Sequence, residues 1–191
     1  MLTVLVAACN QAGGPDTTTR PPDGATGTEN VLTAAIMFVL DETDLERKDL
    51  IYVAGPSIEL WGQWCGFDTG EPGEDPHDEV PSACDVLDST TFDVPATYEG
   101  TLAAEIETAL APATAEFIND PDTVTGTFED GMMIAPVEGD AGLLTFGVVI
   151  EADGKVYLPV DAHGEGWLLE LTPSSSGDGA WDIRPIAFYI V

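Results

Sequence analysis

Three features of the sequence predict an α+β fold. They are an apolar run near residue 30 with helix-forming composition, a second amphipathic helix near residue 100, and a series of strand-like segments from Thr114 onward. Helices followed by a run of strands imply two helices packed on one face of an antiparallel sheet of about five or six strands. The chain has 191 residues, 44% of them hydrophobic, enough to bury one ordinary core.

Order is expected to begin near Thr28, with Thr28 or Asn30 capping a helix over VLTAAIMFVLDET and Glu29 favourable to its dipole. Its apolar residues cover nearly the whole circumference, which predicts burial on most sides. The run IMFVL also fits a strand, but the length of the segment and its Ala pair favour helix. Leu50–Ala54 follows as a short strand that Gly55-Pro56 should end. Residues 55–95 carry repeated Gly and Pro without a sustained period and read as a long irregular excursion. In TYEGTLAAEIETALA, Tyr98, Leu102, Ile106, Ala109 and Leu110 share one helical stripe until Pro112 ends it. Strands are expected at Thr114–Ile118, Gly131–Pro136, Leu143–Ala152, Lys155–Asp161, Trp167–Thr172 and Trp181–Val191. Ala152-Asp153-Gly154 signals a tight hairpin, and His163-Gly164-Glu165-Gly166 a looser one.

The N-terminus points to a compartment. Val6-Ala7-Ala8-Cys9 resembles a bacterial lipobox, in which the cysteine takes lipid and becomes the mature N-terminus. The apolar run before it is short and no Lys or Arg precedes it; a start further upstream would account for both. The competing reading is an apolar N-terminal strand ending in an ordinary thiol. Residues 10–30 are rich in Gly, Pro, Thr and Asp and bury too little to order themselves, so they read as a tether. About twenty such residues span about 25 Å. The expected organisation is a truncated signal peptide and lipobox (1–8), a tether (9–29) and one α+β domain (30–191).

Charge narrows the partners. With 35 acidic residues against five basic ones, the formal net charge is −30. Nucleic-acid binding rests on Lys and Arg displacing counterions, so nucleic acid is excluded as an expected partner. The lipid at Cys9 makes a membrane the expected partner, together with an unidentified extracellular ligand or protein.

The stretch from Cys65 to Cys84 holds the densest chemistry. A single Asp68-Thr69-Gly70 is present, followed by Glu71-Pro72-Gly73-Glu74; an aspartic protease needs two such aspartates and apolar residues after them, so a turn is the better reading. Asp68, Glu71, Asp75 and Asp78 provide oxygens for a calcium ion, although their spacing is not that of an EF-hand. No other cofactor is expected. The favoured reading is a disulfide between Cys65 and Cys84 that staples a surface loop, worth roughly 3 kcal/mol in the chain-entropy treatment. Asp161, His163 and Glu165 offer a metal-like trio, but flanking glycines and a single imidazole favour a turn. His77 lies among the carboxylates without a nucleophile nearby, and Ser174-Ser175-Ser176 reads as a loop. Trp61, Trp64, Trp167 and Trp181 suit core packing better than a ligand face.

From Asn30 to Val191 the order of elements resembles a set of uncharacterised bacterial exported domains, notably actinobacterial ones. The resemblance rests on DLIYVAG, AEFINDPDTV, GLLTFGVV and GWLLELTPSSSGDGAWDI. Relatives of that type often carry cysteines near the turn that holds His163-Gly164, and this chain does not. These motifs are structural and imply no activity. Together the observations lead to an expected lipid-anchored extracytoplasmic binding or envelope-structural module. The rivals are a carboxylate hydrolase and a calcium-dependent adhesion module, each using the acidic 65–84 loop.

Overall fold

A computed structural model describes residues 28–65, 81–124, 128–129, 132–133, 140–175 and 180–190. The first helix, α1, is Thr28–Glu42, so the helical reading of IMFVL is the correct one. Asn30 sits inside the helix rather than capping it. Val31, Leu32, Ala35, Ile36 and Val39 are buried, yet Met37 is 58% exposed, so one side of α1 is open where burial on most sides was expected.

Strand β1 (Leu50–Ser57) passes through Gly55-Pro56 instead of ending there. Gly55 makes this possible: its φ is +117°, and a Cβ built there would lie 2.6 Å from the Phe146 carbonyl oxygen. The 55–95 excursion is less irregular than its composition suggests. It contains a 3-10 turn at Glu59–Trp61, a single helical turn α2 (Gly62–Cys65) and the helix α3 (Pro81–Ser89). Pro81 at the first helical position, with Ala83, Val86 and Leu87 spaced to bury one side, is the signal for α3. Helix α4 (Gly100–Leu110) buries Ile106 and Leu110. Just ahead of it Tyr98 sits edge-on to Phe146 and Phe117, at 6.2 and 6.4 Å between ring centroids.

The strands that follow are β2 (Thr114–Ile118), the short pair β3 (Phe128–Glu129) and β4 (Met132–Met133), then β5 (Ala141–Gly147) and β6 (Ile150–Ala152). The last three are β7 (Lys155–Ala162), β8 (Glu165–Pro173) and β9 (Trp181–Ile190). The expected single strand Leu143–Ala152 is thus broken at Val148-Val149. There Val148 donates its N–H to Ser57 and its carbonyl accepts from Trp61 Nε1. Of the expected strand 131–136, only Met132–Met133 is described, and it pairs with β3 apart from the main sheet.

The main sheet runs β2-β1-β5-β7-β8-β9, with β6 also on β7. It is mixed rather than purely antiparallel. β1 lies parallel to both neighbours, Leu50 opposite Thr114 on one side and Ala141 on the other, while the remaining pairs are antiparallel. Central parallel strands are apolar on both faces, and buried Ile51, Val53 and Ala54 fit that position. Two-residue turns join β6 to β7 at Asp153-Gly154 and β7 to β8 at His163-Gly164, with positive φ at all four residues, as a tight hairpin twist requires. The second turn is therefore as tight as the first.

Two large buried clusters hold the sheet, beside a smaller one of Ala54, Ala141 and Leu143. One joins Leu32, Ile36 and Val39 of α1 and Ile106 of α4 to Ile51, Phe146, Leu158, Trp167 and Leu169. The other joins Trp61, Trp64, Ala83 and Leu87 to Ile150, Tyr157 and Leu168. Trp167 and Leu169 belong to the first and Leu168 to the second. The two-residue period of a strand therefore sets the clusters on opposite faces.

Candidate functional site

Cys65 and Cys84 are joined, with Cα atoms 5.5 Å apart across 19 residues of sequence. Cys9, the candidate ligands Asp68, Glu71, Asp75 and Asp78, and also His77 lie outside the described residues. Asp161 at the end of β7, His163 in the turn and Glu165 at the start of β8 lie around the β7–β8 hairpin. The Asp161 carboxylate accepts from the Gly164 N–H at 3.3 Å, and the His163 N–H donates to the Leu143 carbonyl at 3.1 Å. Burial, then the nearby Lys48 ammonium, hold the imidazole below its ordinary pKa despite Asp44, Asp161 and Glu165. No group of three or more His, Cys, Asp or Glu among the described residues could hold a metal ion.

Three of the four tryptophans are core residues: Trp61, Trp64 and Trp167 are at most 5% exposed. Trp181 is not. It stands on β9 at the end of the sheet and lines a hollow of about 640 Å³ with Ile183 and with Ala34, Met37, Phe38 and Asp41 of α1. Its indole N–H is buried without a hydrogen-bond partner among the described residues. A second hollow, of about 530 Å³, lies between Glu42 at the end of α1, Glu165 and Trp167 of β8, and Pro185 and Phe188 of β9. An aromatic ladder connects them. Phe38 meets Trp167 edge-on at 6.2 Å, and Trp167 meets Phe188 at 5.3 Å.

The two hollows adjoin along α1 and β9, Asp41 lining one and Glu42 the other, and together make an α1–β9 groove. The exposed large hydrophobic residues of the described chain, Met37 at 58% and Phe188 at 51%, both line it. Its acidic residues are Asp41, Glu42 and Glu165, and among the described residues no Lys or Arg lines either hollow. The described cations are engaged elsewhere. Lys48 binds Asp140 at 2.8 Å, Arg47 lies 4.0 Å from Glu46, and Lys155 and Arg184 bind Glu170. Single-sequence reasoning could not assemble this groove, because it joins residues about 150 positions apart through β8 and β9 pairing.

Glu170 lies on the other face of the sheet and is 8% exposed. Lys155 Nζ donates to one oxygen at 2.7 Å, and Arg184 approaches the other at 3.1 Å. Burial alone would raise the Glu170 carboxyl, but the Lys155 hydrogen bond and the Arg184 charge outweigh it and hold the pKa below the usual range. A depressed folded-state pKa contributes stability that is present above the unfolded value, about pH 4, and is lost as pH falls through the folded value. Glu170→Gln should cost about 1–2 kcal/mol in urea unfolding at pH 7, where both cations are partly solvated. The difference from wild type should shrink at pH 3. An equal cost at both pH values would show that packing, not charge, is what Glu170 contributes.

No family model matches the chain, and comparison with curated proteins and with solved structures returns no match. The class that the fold and groove define is therefore a structural one: a mixed-sheet α+β protein with an aromatic, acid-rimmed cleft between its first helix and its last strand.

Proposed function

We propose that this chain is an extracytoplasmic binding module held at a membrane face by lipid on Cys9, with the α1–β9 groove as its binding surface. The observation that carries the binding reading is the groove. Two large hydrophobic side chains stand exposed in it, Met37 in one hollow and Phe188 in the other, and clustered exposed apolar surface marks interaction sites. In this reading α1 and α4 form one helical layer over a face of the sheet, and the groove runs where α1 leaves the last strand uncovered. The compartment rests on the lipobox-like Val6-Ala7-Ala8-Cys9, the Gly/Pro/Thr-rich tether and the Cys65–Cys84 bond, which suits an oxidising environment. An envelope-structural role would use the same surface. The hydrolase and calcium-adhesion alternatives depend on 65–84 loop residues outside the described chain, and no observation favours them.

Anchoring is tested by fractionating bacteria that express the chain. Wild type should sediment with membranes and Cys9→Ala should be released. A soluble wild type whose Cys9 thiol reacts with maleimide would overturn the anchor.

A further inference from the structure

We propose that the α1–β9 groove takes a short cationic, apolar peptide segment of a partner protein. This rests on the binding-module reading and names the chemistry of its ligand. The groove asks for apolar side chains: Met37 and Phe188 present exposed thioether and aromatic surface, with half-buried Phe38 beside Met37. The rim asks for cations. Asp41, Glu42 and Glu165 have no ion-pair partner among the described residues, although every described Lys and Arg lies within 4.0 Å of a carboxylate.

Position along the groove adds a direction. Asp41 and Glu42 stand in the last turn of α1, which holds no basic residue. The negative end of the helix dipole therefore adds to their charge. The Lys or Arg residues of the segment belong at this end, beside Glu165, and its apolar residues toward Met37 and Trp181. From Thr33 to Glu42 the groove follows about 14 Å of helix, room for two to three helical turns of a partner.

Other occupants fit less well. A second copy would bring another net charge of −30 against the first. Strand addition along the outer edge of β9 is interrupted by Pro185, which has no N–H, and by the register shift beside it. The groove, not the sheet edge, is the receptor.

The test uses the full chain carrying Cys9→Ala, so that anchoring plays no part. The probe is a fluorescein-labelled amphipathic Leu/Lys peptide of about ten residues, followed by anisotropy at near-physiological salt, where exposed charges beyond roughly 8 Å are screened. Met37→Ser with Phe188→Ser removes the apolar anchors. Asp41→Asn, Glu42→Gln and Glu165→Gln together remove the rim. Asp85→Asn, Asp88→Asn and Asp93→Asn neutralise three exposed carboxylates outside the groove. The first two sets should each weaken binding about tenfold or more, and the third by less than about threefold. Equal losses from the rim and control sets would overturn the proposal, because the overall field alone would then hold the peptide. Unchanged binding in the Met37→Ser, Phe188→Ser variant would also overturn it. So would a wild-type dimer in sedimentation that this variant abolishes, since a second copy would then be the occupant. None of these results bears on whether Cys9 carries lipid, which fractionation decides separately.

Discussion

Trp61→Ala should lower the unfolding free energy by about 4 kcal/mol, among the larger costs of a single core truncation. Trp61 is fully buried in the second cluster, and its indole donates to the Val148 carbonyl at 2.9 Å. That carbonyl lies at the break between β5 and β6, where the strand ladder does not serve it. The substitution therefore opens a cavity and also leaves a buried acceptor without its donor. Trp61→Phe separates the two effects, since it retains most of the apolar volume and should cost about 1–2 kcal/mol for the unmet acceptor. Urea unfolding of both variants gives the comparison. If Trp61→Ala costs no more than Trp61→Phe, packing in the second cluster adds little to stability.

Loss of the Cys65–Cys84 bond should be the next largest effect, roughly 3 kcal/mol for a closed loop of about twenty residues. Reduction, or Cys65→Ser with Cys84→Ser, should leave far-UV circular dichroism nearly unchanged, because α1, α4 and every strand of the main sheet lie outside the closed loop. Trp64, Ala83, Val86 and Leu87 flank the bridge and are held by burial in the second cluster as well. Proteolysis should begin between the cysteines, where the sequence is acidic and poor in apolar residues. Two freely alkylated thiols in protein isolated from its own compartment would overturn the bridge.

Local patterns in the sequence were readable where one element settles its own conformation. The segment Thr114–Ile118 is a strand at the expected residues, and Ile106 and Leu110 bury the expected stripe of α4. Asp153-Gly154 makes the expected tight turn. The errors arise where a distant residue decides. β1 continues past Gly55-Pro56 because Phe146 lies against Gly55, and a Gly-Pro pair normally signals a break. Parallel pairing of β1 was missed because an apolar run has the same appearance in either orientation. Helix α3 was hidden because Gly and Pro around it dominate the composition of 55–95. The groove was the least legible feature. Phe38 looks like a core residue of an apolar helix, and only the position of β9 beside α1 makes it the wall of a hollow.

The mixed sheet also sets an order of assembly for the nascent chain. Strand β1 is made early, but both strands that flank it come later: β2 begins at Thr114 and β5 at Ala141. During synthesis and any N-terminus-first passage through a membrane, an apolar strand waits for partners roughly sixty and ninety residues behind it. Strands β7, β8 and β9 have no such delay, because each follows its neighbour directly. A chain interrupted before Ala141 would hold β1 with at least one open edge, which exposes it to aggregation and proteolysis. The first strand thus needs protection until β5 has been made.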